Sequence, residues 1–128
     1  MGYKRVSPSK EEFSSFIGRR FEILCREFLV DYLGKKGECV QRVGKWWGSI
    51  EVGEGRFEQR DIDLIVETDR GLYFGDCKWT DKAIGASELN RLRESAKPFA
   101  KTSKLFMFVL FAKRGFSLCE SSDVLLFD

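Results

Sequence analysis

The sequence predicts an α/β domain, a mixed β-sheet flanked by helices with elements in the order αβββαββ. Three observations carry this expectation. Apolar residues recur at three- and four-residue steps from Glu11 to about Leu33, the period of a helix. Two apolar runs, Asp61–Thr68 and Gly71–Trp79, are joined by a short polar linker around Asp69, Arg70 and Gly71, which makes them an antiparallel hairpin. Beyond a second helical segment, Leu105–Ala112 is an unbroken apolar run, the mark of a strand covered on both faces.

Taken in order, residues 1–10 are polar, carry Pro8, and read as a tail or linker remnant, leaving 11–128 as one domain. Ser9 or Ser7 can cap the first helix, with Glu11 and Glu12 near its positive end. Phe13, Phe16, Ile17, Phe21, Leu24 and Phe28 form its apolar repeat, and Gly34 and Gly37 end it. Glu38–Trp47 reads as a strand. Gly48–Arg60 is rich in glycine and charge and reads as a hairpin connection or flexible loop. After the hairpin, Gly85–Lys101 is a second helix with Leu89, Leu92, Ala96 and Phe99 as its buried stripe and Pro98 near its end. Leu105–Ala112 and Val124–Phe127 supply the last strands.

Composition removes whole classes of function. There is no histidine, which excludes Ser-His-Asp and Cys-His triads and histidine-metal chemistry. Proton transfer must fall to carboxylates, lysine, tyrosine or metal-bound water. No two of Cys25, Cys39, Cys77 and Cys119 have C-x-x-C spacing, so they read as small buried residues of a reducing compartment rather than a zinc site. The net charge of +2 means that any nucleic-acid surface must be a local patch. No apolar run approaches the ~20 residues of a membrane span, and the N-terminus lacks the form of a signal peptide. A cytoplasmic protein with no membrane partner is the expectation.

The chemistry concentrates in the predicted hairpin. Each of its apolar runs carries an acid, Asp63 in the first and Asp76 in the second, and Lys78 follows Asp76 on the same strand face. Carboxylates and an ammonium converging on a sheet can hold a hard cation and aim a water, which phosphodiester hydrolysis requires. Asp61 competes with Asp63 because alternation puts both on one face; Asp63 lies deeper in the apolar run. The alternatives are a sheet edge made soluble by charge and, for Lys78, a simple ion pair.

Four stretches then match a known family. They are Phe16-Ile17-Gly18-Arg19-Arg20-Phe21-Glu22, Gly44-Lys45-Trp46-Trp47, Asp61-Ile62-Asp63-Leu64 and Phe74-Gly75-Asp76-Cys77-Lys78-Trp79-Thr80. With the element order, they resemble the PD-(D/E)XK nuclease superfamily, and more closely the DUF234 domain found at the C-terminus of archaeal P-loop ATPases. The resemblance covers about Phe13 to Lys97. It implies a restriction-endonuclease-like fold, DNA as substrate and Mg²⁺ or Mn²⁺ as cofactor. It assigns Asp63, Asp76 and the carbonyl of Cys77 to the metal, Glu22 to a metal-bound water, and Lys78 to the attacking water, so that Glu22, Asp63, Asp76 and Lys78 are the expected catalytic residues. Glutamate is more usual at the Asp76 position in the ATPase-linked group, although the superfamily uses either acid. Glu27 is the weaker substitute for Glu22, whose alternative is a surface pair with Arg26 one turn on.

The resemblance also implies partners. An ATPase domain or subunit is one; this chain has no phosphate-binding loop of its own. A homodimer is another, since superfamily members often dimerise to cut two strands. Arg19, Arg20, Lys45, Arg56, Arg60 and Lys82, with Arg91, Arg93 and Lys97 on the second helix, are cations that can meet phosphates or simply form a solvated charged face. Trp46 and Trp47 can stack on bases, but packing is the commoner role of such residues. Two other readings stay open: a catalytically silent DNA- or protein-binding domain serving an archaeal ATPase, and a small-molecule or nucleotide hydrolase using the same site.

Overall fold

A computed structural model describes residues 9–99 and 105–128. The elements are α1 (Lys10–Lys35), β1 (Val40–Gly53), β2 (Arg56–Thr68), β3 (Gly71–Lys78), α2 (Ala86–Ser95), a 3₁₀ turn (Lys97–Phe99), β4 (Leu105–Ala112) and β5 (Val124–Phe127). The expected tail before Ser9, the side chains of Glu11 and Phe13, and Ala100 and Lys101 lie outside the described residues.

The strands form one five-stranded sheet in the order β1-β2-β3-β4-β5. β1, β2 and β3 are antiparallel neighbours, whereas β3–β4 and β4–β5 are parallel. This is the predicted mixed sheet flanked by helices, and β3 is the seam between its antiparallel and parallel halves. Each face has its own core. Cys25, Leu29 and Leu33 of α1 cover Leu64, Val66, Tyr73, Val109 and Phe111. Leu92 and Ala96 cover Ile62, Leu72, Phe74, Phe108 and Leu110 on the α2 face. Among the described residues no helix is long and apolar enough to cross a membrane.

Four local expectations are corrected. The buried stripe of α1 is Cys25, Leu29 and Leu33, while Phe16, Leu24 and Phe28 are 52, 62 and 48% exposed. Small and branched residues let the helix lie close on the sheet; the ring of Phe28 sits beside the contact, against Tyr32, Phe111 and Phe127. The segment Gly48–Arg60 is not a loop: β1 and β2 stay paired from Val40–Thr68 out to Gly53–Arg56. Only Glu54 and Gly55 turn, with Gly55 at φ +72°, a conformation glycine adopts without strain. The second helix is shorter than expected because it stops before Pro98, which lacks an N–H and disfavours helical backbone in the residue before it. Finally, only Cys25 of the four cysteines is fully buried; Cys39 and Cys119 lie in exposed connections.

Candidate functional site

The site forms where β2 and β3 part. Their pairing runs from Glu67–Leu72 to Leu64–Gly75 and ends there, although β2 continues back to Arg56 and β3 forward to Lys78. One step past the last pair, the same register puts Asp63 opposite Asp76. On its other side β2 is bulged. Between the pairs Gly44–Ile65 and Trp46–Ile62, β1 contributes Lys45 alone and β2 contributes Asp63 and Leu64. The extra residue interrupts the alternation of faces, so Ile62 joins the α2-side core and Leu64 the α1-side core.

The bulge separates Asp63 from Asp61. Asp61 is exposed and pairs across the strands with Trp47. Asp63 is partly buried and accepts a hydrogen bond from the Cys77 N–H at 2.9 Å. Its carboxylate is a near neighbour of that of Asp76. Burial, then the neighbouring Asp76, push the pKa of Asp63 up to about 8, and Glu22 adds to the repulsion. Lys78 Nζ lies 3.2 Å from Asp76 Oδ2. Burial opposes the charge on Lys78, but Asp76, with Asp63 and Asp61 behind it, raises its pKa on balance.

Glu22 reaches the same place from α1. It lines two clefts, one on each side of it. One, of about 400 Å³, includes Lys78, Trp79, Asp81 and Lys113. The other, of about 260 Å³, includes Arg19, Arg26, Lys45 and Asp63. Among the described residues no ion pair joins Glu22 to Arg26, the alternative its spacing offered. The thiol of Cys77 is turned away, meeting that of Cys25, and this contact together with burial raises its pKa. Only the backbone of Cys77 is therefore available to a metal beside Asp63.

The donor set fits a hard divalent cation. Asp63 and Asp76 are oxygen donors crowded together, and a cation between them would relieve the repulsion that Asp76 exerts on Asp63. Among the described residues no three Asp, Glu, Cys or His side chains converge closely enough to enclose a metal. Water and substrate phosphate would have to complete the shell, which is how Mg²⁺ is usually held.

The expected cations divide. Arg19 and Lys45 line the Asp63 cleft. Arg60 is buried, 2.7 Å from Glu58 and 3.8 Å from Glu94, so it is structural. Arg93 is held by Asp123 at 2.6 Å and stacks over Phe108. Two further cations, Arg26 and Lys113, line the clefts. Arg26 follows Arg19 by seven residues, two helical turns, and that spacing was a usable signal. Lys113 enters because Ala112 pairs with Lys78 in parallel register, which no local pattern reveals. It lies 4.8 Å above the Trp79 ring and 3.0 Å from Asp81.

Residues 3–94 match DUF234, a family described as archaea bacterial proteins of unknown function. The chain belongs to the DUF234 family. The matched span holds Glu22, Asp63, Asp76, Cys77 and Lys78 of this DUF234 chain, whereas Lys113 lies beyond it. No curated protein matches the chain.

Proposed function

We propose that this DUF234 domain is a metal-dependent deoxyribonuclease of the PD-(D/E)XK type, hydrolysing DNA phosphodiesters at the open end of β2–β3. The observation that carries this is the crowding of Asp63 against Asp76 beside Lys78. Folding does not reward two facing, half-buried carboxylates, whereas cation-assisted chemistry uses them. Mg²⁺ or Mn²⁺, when bound, supplies charge stabilisation at the phosphoryl oxygens and a more acidic water.

The chain's own groups do the rest. Asp63, Asp76 and the Cys77 carbonyl would hold the cation, and Glu22 would orient a water from the opposite side. Arg19, Arg26 and Lys45 would position the phosphate backbone. Lys78 starts as an ammonium because Asp76 holds its proton on. In that state it orients the water and offsets charge on the phosphate. With Asp76 engaged elsewhere, burial would favour the neutral amine, which can then accept a proton.

The test is cleavage of labelled linear, branched and single-stranded DNA with Mg²⁺ or Mn²⁺, comparing wild type with Asp63→Asn and Lys78→Met. Metal-dependent cutting lost in both variants is expected. Cutting that survives in both, or no cutting by the wild type of any DNA, overturns the reading. One observation favours a silent accessory domain instead. The most spacious cleft among those described, about 630 Å³, is mostly apolar, includes none of these acids in its lining, and includes the exposed Leu24 and Phe28 of α1. That reading predicts wild type and both variants binding DNA or an ATPase partner equally, with no hydrolysis.

A further inference from the structure

The paired segment of β1 and β2 beyond Asp63 is a two-stranded ribbon whose two faces differ. On the α2 side, Ile50, Arg60 and Ile62 are buried. Trp46 packs there against Phe99 at 5.8 Å. Its ring lies against Gly48, where a Cβ would come within 2.7 Å of it. The ribbon is therefore anchored through Trp46, and its neighbour Trp47 must point the other way.

On that other face Trp47 is 71% exposed and Phe57 66% exposed. Cross-strand register puts both on one side: Trp47 opposite Asp61, Ser49 opposite Gln59, and Glu51 opposite Phe57. Gln59 Nε2 donates to Ser49 Oγ at 2.7 Å, a polar step between the two rings. The rings stand roughly 14 Å apart along the ribbon, four residues at strand rise. The face begins at Lys45, which lines the cleft of Asp63 with Arg19 and Arg26. None of these three cations has an ion-pair partner among the described residues.

The charge pattern selects the occupant. Arg19, Arg26 and Lys45, which have no ion partner among the described residues, stand at the base of the ribbon, beside the acids, where phosphates would be needed. Farther out, the rings have the carboxylates of Asp61 and Glu51 as cross-strand neighbours, which repel a phosphate backbone. A duplex lying along the ribbon would bring phosphates against those acids. An unpaired strand can keep its phosphates on Arg19, Arg26 and Lys45 and lay its bases on the rings, which accept any base.

We infer that the β1–β2 ribbon is a base-stacking platform for an unpaired DNA strand, with Trp47 and Phe57 as its contacts. The substrate class is then DNA whose strand leaves the duplex next to the cut: a fork, a flap or a single strand. The inference rests on the nuclease reading for the direction of the track into the site.

The experiment measures binding by fluorescence anisotropy on three labelled DNAs of one sequence: blunt duplex, fork with unpaired arms, and single strand. Asp63→Asn is the background, so that binding is read without cleavage. Trp47→Ala and Phe57→Ala are each expected to weaken fork and single-strand binding about tenfold, to leave duplex binding unchanged, and to be rescued by Trp47→Phe at the first position. Arg26→Ala is expected to weaken all three DNAs alike. Equal losses on fork and duplex, or no loss on either, would overturn the platform. So would sedimentation showing that Trp47→Ala splits a wild-type dimer, which would make the rings a subunit contact. Trp47-dependent fork binding by a wild type that cuts nothing would instead remove the nuclease reading and keep the platform.

Discussion

The two ends of the β2–β3 pair bury carboxylates in opposite ways. At the turn end, Glu38 is 9% exposed, and each of its oxygens has a hydroxyl donor. Thr68 Oγ1 donates to one at 2.8 Å and Tyr73 O–H to the other at 2.6 Å. Thr68 Oγ1 in turn accepts the N–H groups of Arg70 and Gly71 at 3.1 and 3.2 Å, locking the turn. At the open end, Asp63 and Asp76 face each other, and their donors are the Cys77 N–H and Lys78. A buried acid saturated by neutral donors holds a fold together. A pair of acids short of donors is poised to accept something positive from outside.

The sharpest way to break this comparison is at the open end. Lys78→Met is expected to reduce metal-dependent cleavage about 10²–10⁴-fold, the range for a lost proton-transfer or charge-stabilising group. Its unfolding midpoint in urea should stay close to wild type. A large stability loss with cleavage retained would make the open end structural, like the turn end.

The turn end should respond in the reverse sense. Glu38→Ala leaves the Thr68 and Tyr73 hydroxyls without their acceptor and is expected to lose about 2–3 kcal/mol of stability, as for buried groups left unpaired. Urea unfolding measures this, and metal binding by calorimetry should be unchanged.

A pH series separates the ends again. The pKa of Asp63 is raised from 3.8 to about 8, so over that window the folded, metal-free chain holds a proton that the unfolded chain has lost. Stability should therefore fall as pH rises from about 4 to 8. Thermal melts should show the fall in wild type, a shallower slope in Asp63→Asn, and a shallower slope with Mn²⁺ present. An unchanged slope in Asp63→Asn would assign the titration elsewhere.

The smallest effect is a control remote from both ends. Ser9 caps α1 by accepting the Glu12 N–H at 3.1 Å while the Ser9 N–H donates back to Glu12 at 3.2 Å. Ser9→Ala is expected to lose about 1 kcal/mol, with cleavage and the pH slope unmoved.

Much of this was legible locally. The αβββαββ order, the β4 and β5 boundaries, the Ser9 cap and the apolar setting of Asp63 and Asp76 follow from period, turn chemistry and composition, which act over a few residues. Glycine and charge at Gly48–Arg60 imitate a loop and hide the ribbon from a local reading. Cross-strand pairing and one anchored face, not composition, make those residues strands. The aromatic repeat of α1 does not coincide with its buried stripe, because its largest apolar residues are not the ones that approach the sheet most closely.

By itself, the sequence determined which elements exist and which residues have chemistry to offer: the acids, the lysine, the missing histidine and the family to which they belong. Only the tertiary structure decided which of these meet. The bulge at Asp63, the parting of β2 from β3, the approach of Glu22 and the opposite fates of Trp46 and Trp47 all depend on register. Register is set by contacts between residues far apart in the chain, and a one-residue slip exchanges the faces of a strand.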